Sequence, residues 1–173
     1  MTVKFSCLYL FPFLLFGQTF EVSNSSKITY YGSHFTSDWQ GHSSGFRGRI
    51  IYDAVNQTTN SCSLRVDLAT FDSGNSNRDS NMLTSLDVFQ YPDVMFVSNE
   101  IFVEGINASI KGKLTFHGIT KDINLRADIS FNDGFNAEGS FIILLSEYEV
   151  ERPALLFKKI ADEMKLKFHI VAK

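Results

Sequence analysis

Apolar and polar residues alternate with a period of two along much of the chain after residue 20. In the clearest run, every second residue from Ile123 to Phe131 is apolar. Alternation places one face of a strand in the core and the other in water, which is typical of antiparallel sheets. The same pattern occurs in Cys62–Leu68, Ile110–His117 and Met164–Ile170, and less regular strands fit Lys27–Tyr31, Phe46–Tyr52, Val94–Val103 and Ala137–Leu145.

Turn signals separate these runs. Asn132-Asp133-Gly134 links two alternating runs and predicts a hairpin, since Asp-Gly tolerates the positive φ angles of tight turns. His117-Gly118 and Glu104-Gly105 end two further strands, and Asn99-Glu100 interrupts the run Val94–Val103. The pattern predicts about eight strands with short connections, which must close or stack to protect their edges, as in a barrel or a sandwich.

Two segments break the alternation. Phe71–Tyr91 begins as a polar loop and predicts a short helix over Asn77–Leu86. Pro153–Ala161 predicts a second helical turn, with proline in its first position. The chain shows no internal repeat or linker, so a single all-β domain with one or two short helices is expected.

The first nineteen residues, Met1–Thr19, read as a signal peptide. Lys4 supplies a positive flank, Phe5–Phe16 is an apolar run too short to span a bilayer, and small residues follow at Gly17 and Thr19. We expect cleavage after Gly17 or Thr19, a β domain over residues 20–173, and a periplasmic or secreted protein with no membrane segment after processing. The alternative is a buried N-terminal helix or strand.

Charge and aromatic content narrow the class. The chain has 16 Lys and Arg against 19 Asp and Glu, which gives a net charge of −3. It lacks the basic excess that is typical of nucleic-acid-binding proteins, so we do not expect that class. The chain contains 17 Phe, which suggests a large apolar interior or cavity. Removal of the signal peptide leaves Cys62 without a disulfide partner, and we interpret it as a small buried hydrophobic residue.

Two motifs stand out along the chain. Phe71–Phe96 carries a glycine-asparagine pair, an Arg-Asp pair, a short helix and a Tyr-Pro before a strand. Gly112–Leu125 carries a glycine-led strand that ends in His-Gly-x-Thr-Lys. Both motifs resemble the signatures of the YceI-like family and occur in the family's order, and Leu145–Val171 is similar to the closing section of one of its branches. The resemblance covers nearly the whole mature chain.

The resemblance implies an extended, eight-stranded, lipocalin-like antiparallel β-barrel with an elongated apolar lumen. It also implies an exported bacterial protein that binds long amphiphiles, polyisoprenoid chains among them. One departure concerns the stretch before the last strand, where Glu149 stands in place of the family's usual glycine. The ligand's identity therefore does not carry over.

The lumen is predicted from the apolar face of each strand. The alternative is a fully packed core, because an eight-stranded barrel is only just wide enough to hold one small ligand. The candidate ligand-binding residues are Phe46, Ile50, Leu64, Val66, Phe96, Leu114, Phe116, Leu125, Phe141, Ile143, Leu166 and Phe168.

Metal sites are weakly supported. His34 and His42 lie near glycines and could meet in a loop, but the histidines lack the spacing of a zinc site. The oxygen donors of Phe71–Asp79 do not follow the EF-hand spacing. We interpret that loop as structural, with Gly74 providing an unusual backbone angle and Asn77 capping the helix, and we expect no metal or cofactor.

A carrier and an enzyme both remain open as functions. A set such as Ser85, His117 and Asp122 could in principle be catalytic, but no nucleophile-elbow motif is present. We therefore favour a non-enzymatic carrier of an isoprenoid or other lipid, over an enzyme that acts on a small apolar substrate. The basic candidates for contacting a polar head group are Arg47, Arg49, Arg78 and Arg152. A homodimer is left open.

Overall fold

The computed structural model describes residues 17–57 and 60–173. Residues 1–16, which hold most of the expected signal peptide, lie outside the described residues. The described chain forms one large antiparallel sheet, which confirms the all-β prediction.

Ten strands form this sheet, in the order β1-β4-β5-β6-β7-β8-β9-β12-β2-β3. Most neighbours in the sheet are consecutive in sequence, so the sheet is largely a meander. The strands are β1 (Gln18–Glu21), β2 (Lys27–His34), β3 (Ser37–Ser43), β4 (Phe46–Tyr52), β5 (Ser61–Asp67), β6 (Asp93–Glu104), β7 (Asn107–Phe116), β8 (Ile119–Ser130), β9 (Phe135–Leu144) and β12 (Glu163–Ala172). A separate two-stranded ribbon consists of β10 (Ala154–Leu155) and β11 (Lys158–Lys159).

The prediction of eight strands was therefore too low. The sequence analysis missed β1 and β3, because neither shows clear alternation: β1 has only four residues, and β3 reads SDWQGHS, with polar residues on both faces. Strand β3 nevertheless pairs with β2 over seven positions, from Ile28–Ser43 to His34–Ser37.

The sheet curls until its two sides meet at one end. The segment after β1 provides the connection: Val22 N donates to Gly48 O of β4 (2.9 Å), and Glu21 N donates to Lys173 O just after β12 (2.8 Å). Gly48 has a φ of +145°, and a Cβ on it would lie 2.0 Å from Ser63 O, so only glycine fits here. The result is a barrel-like sheet, in agreement with the predicted architecture.

The predicted hairpin turns are confirmed. Asp133 (φ 57°) and Gly134 (φ 109°) connect β8 to β9, and His117 (φ 49°) and Gly118 (φ 77°) connect β7 to β8. The expected interruption of β6 is a shift in its register with β7 between Val97 and Glu100.

The helical predictions are only partly correct. Helix α1 spans Ser76–Ser85, close to the predicted segment, but its N-cap is Asn75 and not Asn77, because the Asn75 side chain accepts from Arg78 N at 3.0 Å. Pro153–Ala161 is not helical: it forms the β10–β11 ribbon. Short 3-10 helices occupy Leu68–Thr70 and Leu145–Tyr148.

Candidate ligand-binding cavity

The interior of the barrel contains an apolar cavity in two adjoining parts. The larger part has a volume of about 520 Å³ and lies beneath α1 and the β10–β11 ribbon. This volume is within the range of about 300–1,000 Å³ that is usual for small-molecule sites. Most of its lining side chains are aliphatic or aromatic, including Val66, Phe71, Met82, Leu86 and Ile160.

The smaller part, of about 110 Å³, continues deeper into the barrel and is lined almost entirely by apolar residues. Ile28, Leu114 and Phe141 line both parts, so they form the junction between them. The strands fix this order along the barrel: β12 runs from Met164 on the larger part to Ile170 on the smaller.

All twelve candidate residues lie on the lining of the cavity. Whether they contact a ligand remains a prediction, since the structure contains none. The larger part is lined by Val66, Phe116, Ile143 and Leu166, the smaller by Phe46, Ile50, Leu64, Phe96, Leu125 and Phe168, and both by Leu114 and Phe141.

Aromatic rings close the deep end of the cavity. Tyr52 and Phe135 line the smaller part, and Phe20 and Phe131 pack against them from beyond it. The centroid of the Phe131 ring lies 4.9 Å from that of Tyr52 and 5.6 Å from that of Phe135. Edge and tilted contacts of this kind are favourable for aromatic pairs, so the cluster forms an end wall, whose outer member Phe131 is 47% exposed.

Polar groups gather at the opposite end, where α1 meets β2 and β3. Trp39, Asn75 and Arg78 all line the larger part of the cavity. The Arg78 guanidinium lies 5.6 Å from the centre of the Trp39 ring, and its Nη1 donates to the Ser73 hydroxyl at 3.2 Å. Burial raises the pKa of Tyr30, which keeps this phenol neutral at the same end. The cavity is therefore apolar along its length and polar at one mouth.

Of the four arginines predicted as candidates for contacting a polar head group, the structure places one, Arg78, on the cavity lining, and contact with a head group stays a prediction. Arg47 and Arg49 alternate with the inward Phe46 and Ile50 and point outward. Arg49 lines a separate depression of about 650 Å³ that also contains lysine and carboxylate side chains. Arg152 Nη1 donates to Ile160 O (3.1 Å), and Arg152 is not on the cavity lining.

His34 and His42, which the sequence suggested could meet in a loop, lie near opposite ends of one hairpin. His34 pairs in register with Ser37 beside the β2–β3 turn, whereas His42 pairs with Thr29 near the other end of the same hairpin. Within residues 17–57 and 60–173, no three His, Cys, Asp or Glu side chains are placed to hold a metal ion.

The carboxylates of the acidic segment Phe71–Asp79 accept hydrogen bonds from backbone amides of the same segment. Asp72 Oδ1 accepts from Gly74 N at 2.7 Å, and the Asp79 carboxylate accepts from Ser73 N at 3.1 Å. Gly74 has the positive φ (71°) that the sequence suggested. These bonds account locally for the residues that resembled calcium ligands.

The suggested catalytic set is not assembled. Asp122 Oδ1 accepts from Lys113 Nζ at 2.7 Å on the outer face, while His117 Nδ1 lies 2.8 Å from Tyr148 O. The carboxylate near His117 is Asp87, 3.6 Å from its Nε2. Ser85 lines the larger cavity.

Cys62 lies in the smaller part of the cavity as a free, buried thiol. Burial raises its pKa to about 12. A thiol in this state is protonated at neutral pH, which fits the interpretation of Cys62 as a small hydrophobic residue.

Several lining residues were missed by the sequence analysis. Trp39 and Tyr30 belong to strands with weak alternation, whereas Met82 lies on α1 and Leu86 is the residue that caps its C-terminal end. The spacing of Met82 and Leu86, four residues apart in the segment predicted to be helical, was the available signal, because such residues share one helix face.

A curled antiparallel sheet around an apolar interior that is polar at one end places the chain in the class of antiparallel β-barrels. The model of the YceI-like domain matches residues 21–172. The chain belongs to the YceI-like family, as its two motifs suggested.

Sequence relatives agree with this assignment. A UPF0312 protein of Pseudomonas putida F1 is 30% identical over 126 residues, which cover 65% of this chain and 62% of the relative. A UPF0312 protein of Pectobacterium carotovorum is 26% identical over 135 residues, which cover 71% of this chain and 69% of the relative. The match thus spans less than two thirds of the Pseudomonas protein.

Solved structures share the fold. BcnA of Burkholderia cenocepacia aligns with a TM-score of 0.79 at 24% identity, over 88% of this chain and 99% of BcnA. A polyisoprenoid binding domain from Saccharophagus degradans aligns with a TM-score of 0.72 at 12% identity, over 91% and 98% of the two chains. In the described part of this chain, no helix has the length and apolar character needed to cross a bilayer.

Proposed function

We propose that this protein is an exported carrier that holds a long apolar amphiphile, such as a polyisoprenoid or a related lipid, inside its barrel. The observation that carries the proposal is the pair of adjoining apolar cavities along the barrel, with polar groups at one end. The β12 residues that line the cavity run from Met164 to Ile170, about 20 Å apart at about 3.3 Å per residue, so the lumen matches an extended chain better than a compact ligand.

Desolvation of the chain provides the binding energy. Each buried methylene contributes about 0.8 kcal/mol, so a tail in the narrow part of the cavity would be held without any charged contact. The polar head would remain near Trp39, Asn75 and Arg78, where a guanidinium is available for a charge-assisted hydrogen bond.

Two further observations support this proposal. The family's fold is that of binding proteins, and one structural neighbour is a polyisoprenoid binding domain. Two members of the suggested catalytic set, His117 and Asp122, are engaged in separate interactions, which favours a carrier over an enzyme.

The test compares two tryptophan substitutions that are adjacent in β12. Leu166 is half-buried and lines the larger cavity, whereas Lys167 is exposed. In Leu166→Trp, the indole would occupy the space proposed for the ligand, while Lys167→Trp leaves that space unchanged. Protein purified from the periplasm is examined by native mass spectrometry, and organic extracts are analysed for lipids.

We expect wild type and Lys167→Trp to carry the same apolar mass, and Leu166→Trp to carry much less of it. Wild-type protein that is empty whenever it is isolated, and that turns over ester substrates, would refute the carrier and support the enzyme. Equal loading of all three proteins would show that the lipid is not in the lumen.

A further inference from the structure

The tip of the β10–β11 ribbon exposes two large apolar side chains. Ala154 pairs with Lys159 and Leu155 with Lys158, which leaves Leu156 and Phe157 as the two turn residues. Leu156 is 65% exposed and Phe157 is fully exposed. Within the described part of the chain, packing does not bury these two side chains, so it does not explain why they are apolar.

The backbone of this turn makes the choice of residues more unusual. Leu156 has a φ of 50° and Phe157 a φ of 68°, both in the left-handed region. Two-residue hairpin turns of this kind strongly favour Asn-Gly, because bulky side chains are disfavoured at positive φ. A leucine and a phenylalanine at these positions therefore point to a role for the exposed side chains outside the fold itself.

The ribbon is part of the mouth of the cavity. Pro153, Ala154 and Ile160, at its base, line the larger part of the cavity. Its position is fixed on the β2–β3 turn, since Ala161 N donates to Ser33 O at 2.8 Å and His34 Nε2 lies 3.2 Å from Lys158 O. An amphiphile that uses this mouth would pass beside the ribbon.

A third exposed aromatic side chain and two lysines complete the surface. Phe35, in the β2–β3 turn, is 60% exposed, and Lys158 Nζ lies 4.7 Å from the centre of its ring. Lys158 and Lys159 are both exposed. We define the rim patch as Phe35, Leu156, Phe157, Lys158 and Lys159.

We propose that the rim patch docks the mouth of the barrel onto the surface of an anionic phospholipid bilayer. Apolar tips flanked by lysines suit this surface: the rings and the leucine enter the boundary between head groups and acyl chains, and the lysines approach the lipid phosphates. The inference deepens the proposed function, on which it rests, because docking would place the lumen where an amphiphile leaves or enters a membrane.

A protein partner would also accept apolar residues, but the two lysines and the position at a lipid-sized opening favour the bilayer. Of the acidic groups near the base of the ribbon, Asp162 accepts from the Ser146 amide (2.9 Å) and is offset by Arg152 at 3.5 Å. Asp38 accepts from the Ser33 hydroxyl and keeps its negative charge.

The key variant keeps the turn and removes its apolar tip. The double substitution Leu156→Asn, Phe157→Gly installs the sequence that this turn geometry prefers, so the fold should be retained or stabilised. Phe102→Ser is the control, because Phe102 is also an exposed apolar side chain (60%) but lies on β6 between Ile101 and Val103, which line the smaller part of the cavity, away from the ribbon. Lys158→Gln, Lys159→Gln tests the charge, with Lys165→Gln, Lys167→Gln as its control on the outer face of β12.

The measurement is flotation with vesicles of phosphatidylcholine that contain about one third phosphatidylglycerol, and with pure phosphatidylcholine vesicles. We expect wild type and both controls to float with the anionic vesicles, and the tip variant to lose at least about tenfold of this binding. The lysine variant should lose the preference for anionic vesicles, and high salt should weaken wild-type binding.

Lack of flotation by wild type, or equal flotation of the tip variant, would overturn the inference. A dimer that dissociates in the tip variant, without any vesicle binding, would likewise overturn it in favour of a contact between two copies of the chain. Because flotation does not depend on a bound amphiphile, its failure is separable from failure of the carrier proposal, which the loading of Leu166→Trp tests independently.

Discussion

The guanidinium of Arg78 lies over the ring of Trp39, 5.6 Å from its centre, where helix α1 meets strand β3. Both side chains line the polar end of the cavity, and Trp39 is the single tryptophan of the chain. The pair thus provides a cationic group at the mouth and a natural fluorophore beside it.

Arg78→Ala should weaken the binding of an amphiphile with an anionic head by about 10–100-fold, because a hydrogen bond to a charged group contributes about 1.5–3 kcal/mol. An uncharged analogue with the same tail should be much less affected. Titration followed by Trp39 fluorescence measures both affinities. Arg47→Ala is the control, since Arg47 points outward; an equal loss in this variant would contradict a specific role for Arg78.

Phe116 and Lys113 allow a comparison of the inner and outer faces of β7. Phe116→Asp should abolish ligand retention and impair folding, because it places an unpaired charge in an apolar interior. Lys113→Asp removes the exposed ion-pair partner of Asp122 and places two carboxylates opposite each other. This should lower the free energy of unfolding by less than about 1 kcal/mol and leave ligand retention intact. Urea denaturation and lipid extraction provide the readouts.

Phe116→Ala distinguishes a cavity wall from a packed core. Removal of a tightly packed phenylalanine costs about 3–5 kcal/mol. Phe116 packs on the Tyr148 ring at 5.5 Å on one side and faces the cavity on another, so the delipidated variant should lose less than about 3 kcal/mol. A loss within the packed-core range, with no lipid extractable from wild type, would contradict a cavity here.

Cys62 should be almost inert towards alkylation. With its pKa raised from 9.0 to about 12, its thiolate fraction at pH 8 falls by about a thousandfold. The folded protein should react with iodoacetamide only after denaturation. Ser63→Cys in a Cys62→Ala background is the control, because residue 63 is exposed on the same strand; rapid labelling of native Cys62 would show that the interior is open to water.

The same raised pKa predicts the sign of a pH effect on stability. The folded state holds the Cys62 proton more tightly than the unfolded chain, so this stabilisation is complete below about pH 9 and is lost as the pH rises towards 12. Wild type should therefore lose more of its unfolding free energy than Cys62→Ala between pH 8 and pH 10. Equal slopes for the two proteins would contradict the assignment.

Glu149→Gly should stabilise the protein by about 0.5–1 kcal/mol. Glu149 has a φ of 54°, a left-handed conformation that costs a non-glycine residue about 1–2 kcal/mol, partly offset by the greater freedom of glycine in the unfolded chain. This conformation also explains why glycine suits the position. Glu147→Gly, outside the positive-φ region, should destabilise instead, and denaturant melts of the two variants check the opposite signs.

Processing of the signal peptide is expected after Gly17. Cleavage there keeps all four pairs of β1 with β4, from Gln18–Tyr52 to Glu21–Arg49, whereas cleavage after Thr19 removes two of them. N-terminal sequencing of the periplasmic protein should therefore begin at Gln18. Replacement of Gly17 by leucine should slow processing, because a small residue precedes the cut. An intact Met1 on the mature protein would refute export by this route.

The inner face of the barrel was predictable because its strands alternate. Period-two patterns in β7, β8 and β12 identified Leu114, Leu125 and Leu166, and each of these side chains lies on the cavity lining. The same rule places Arg49 on the outer face. Arg49 directly precedes the inward Ile50, and residues next to each other in a strand project to opposite sides.

Other features had no local signal. The ribbon β10–β11 has two residues in each strand and a Leu-Phe turn in place of Asn-Gly, so neither periodicity nor turn chemistry revealed it. The contact between Arg78 and Trp39 joins a helix and an edge strand that are far apart in sequence, and only the curl of the sheet brings them together.

The aromatic cluster of Phe20, Tyr52, Phe131 and Phe135 lies at the end of the cavity opposite its polar mouth. In the proposed carrier, a linear molecule would therefore enter and leave through the polar mouth, and it would leave in the reverse of the order in which it entered. A tail that goes in first would come out last, so the polar head of the proposed cargo would stay at the mouth while the tail is bound. A recipient enzyme or membrane would then meet the head group before any carbon of the tail is exposed to water.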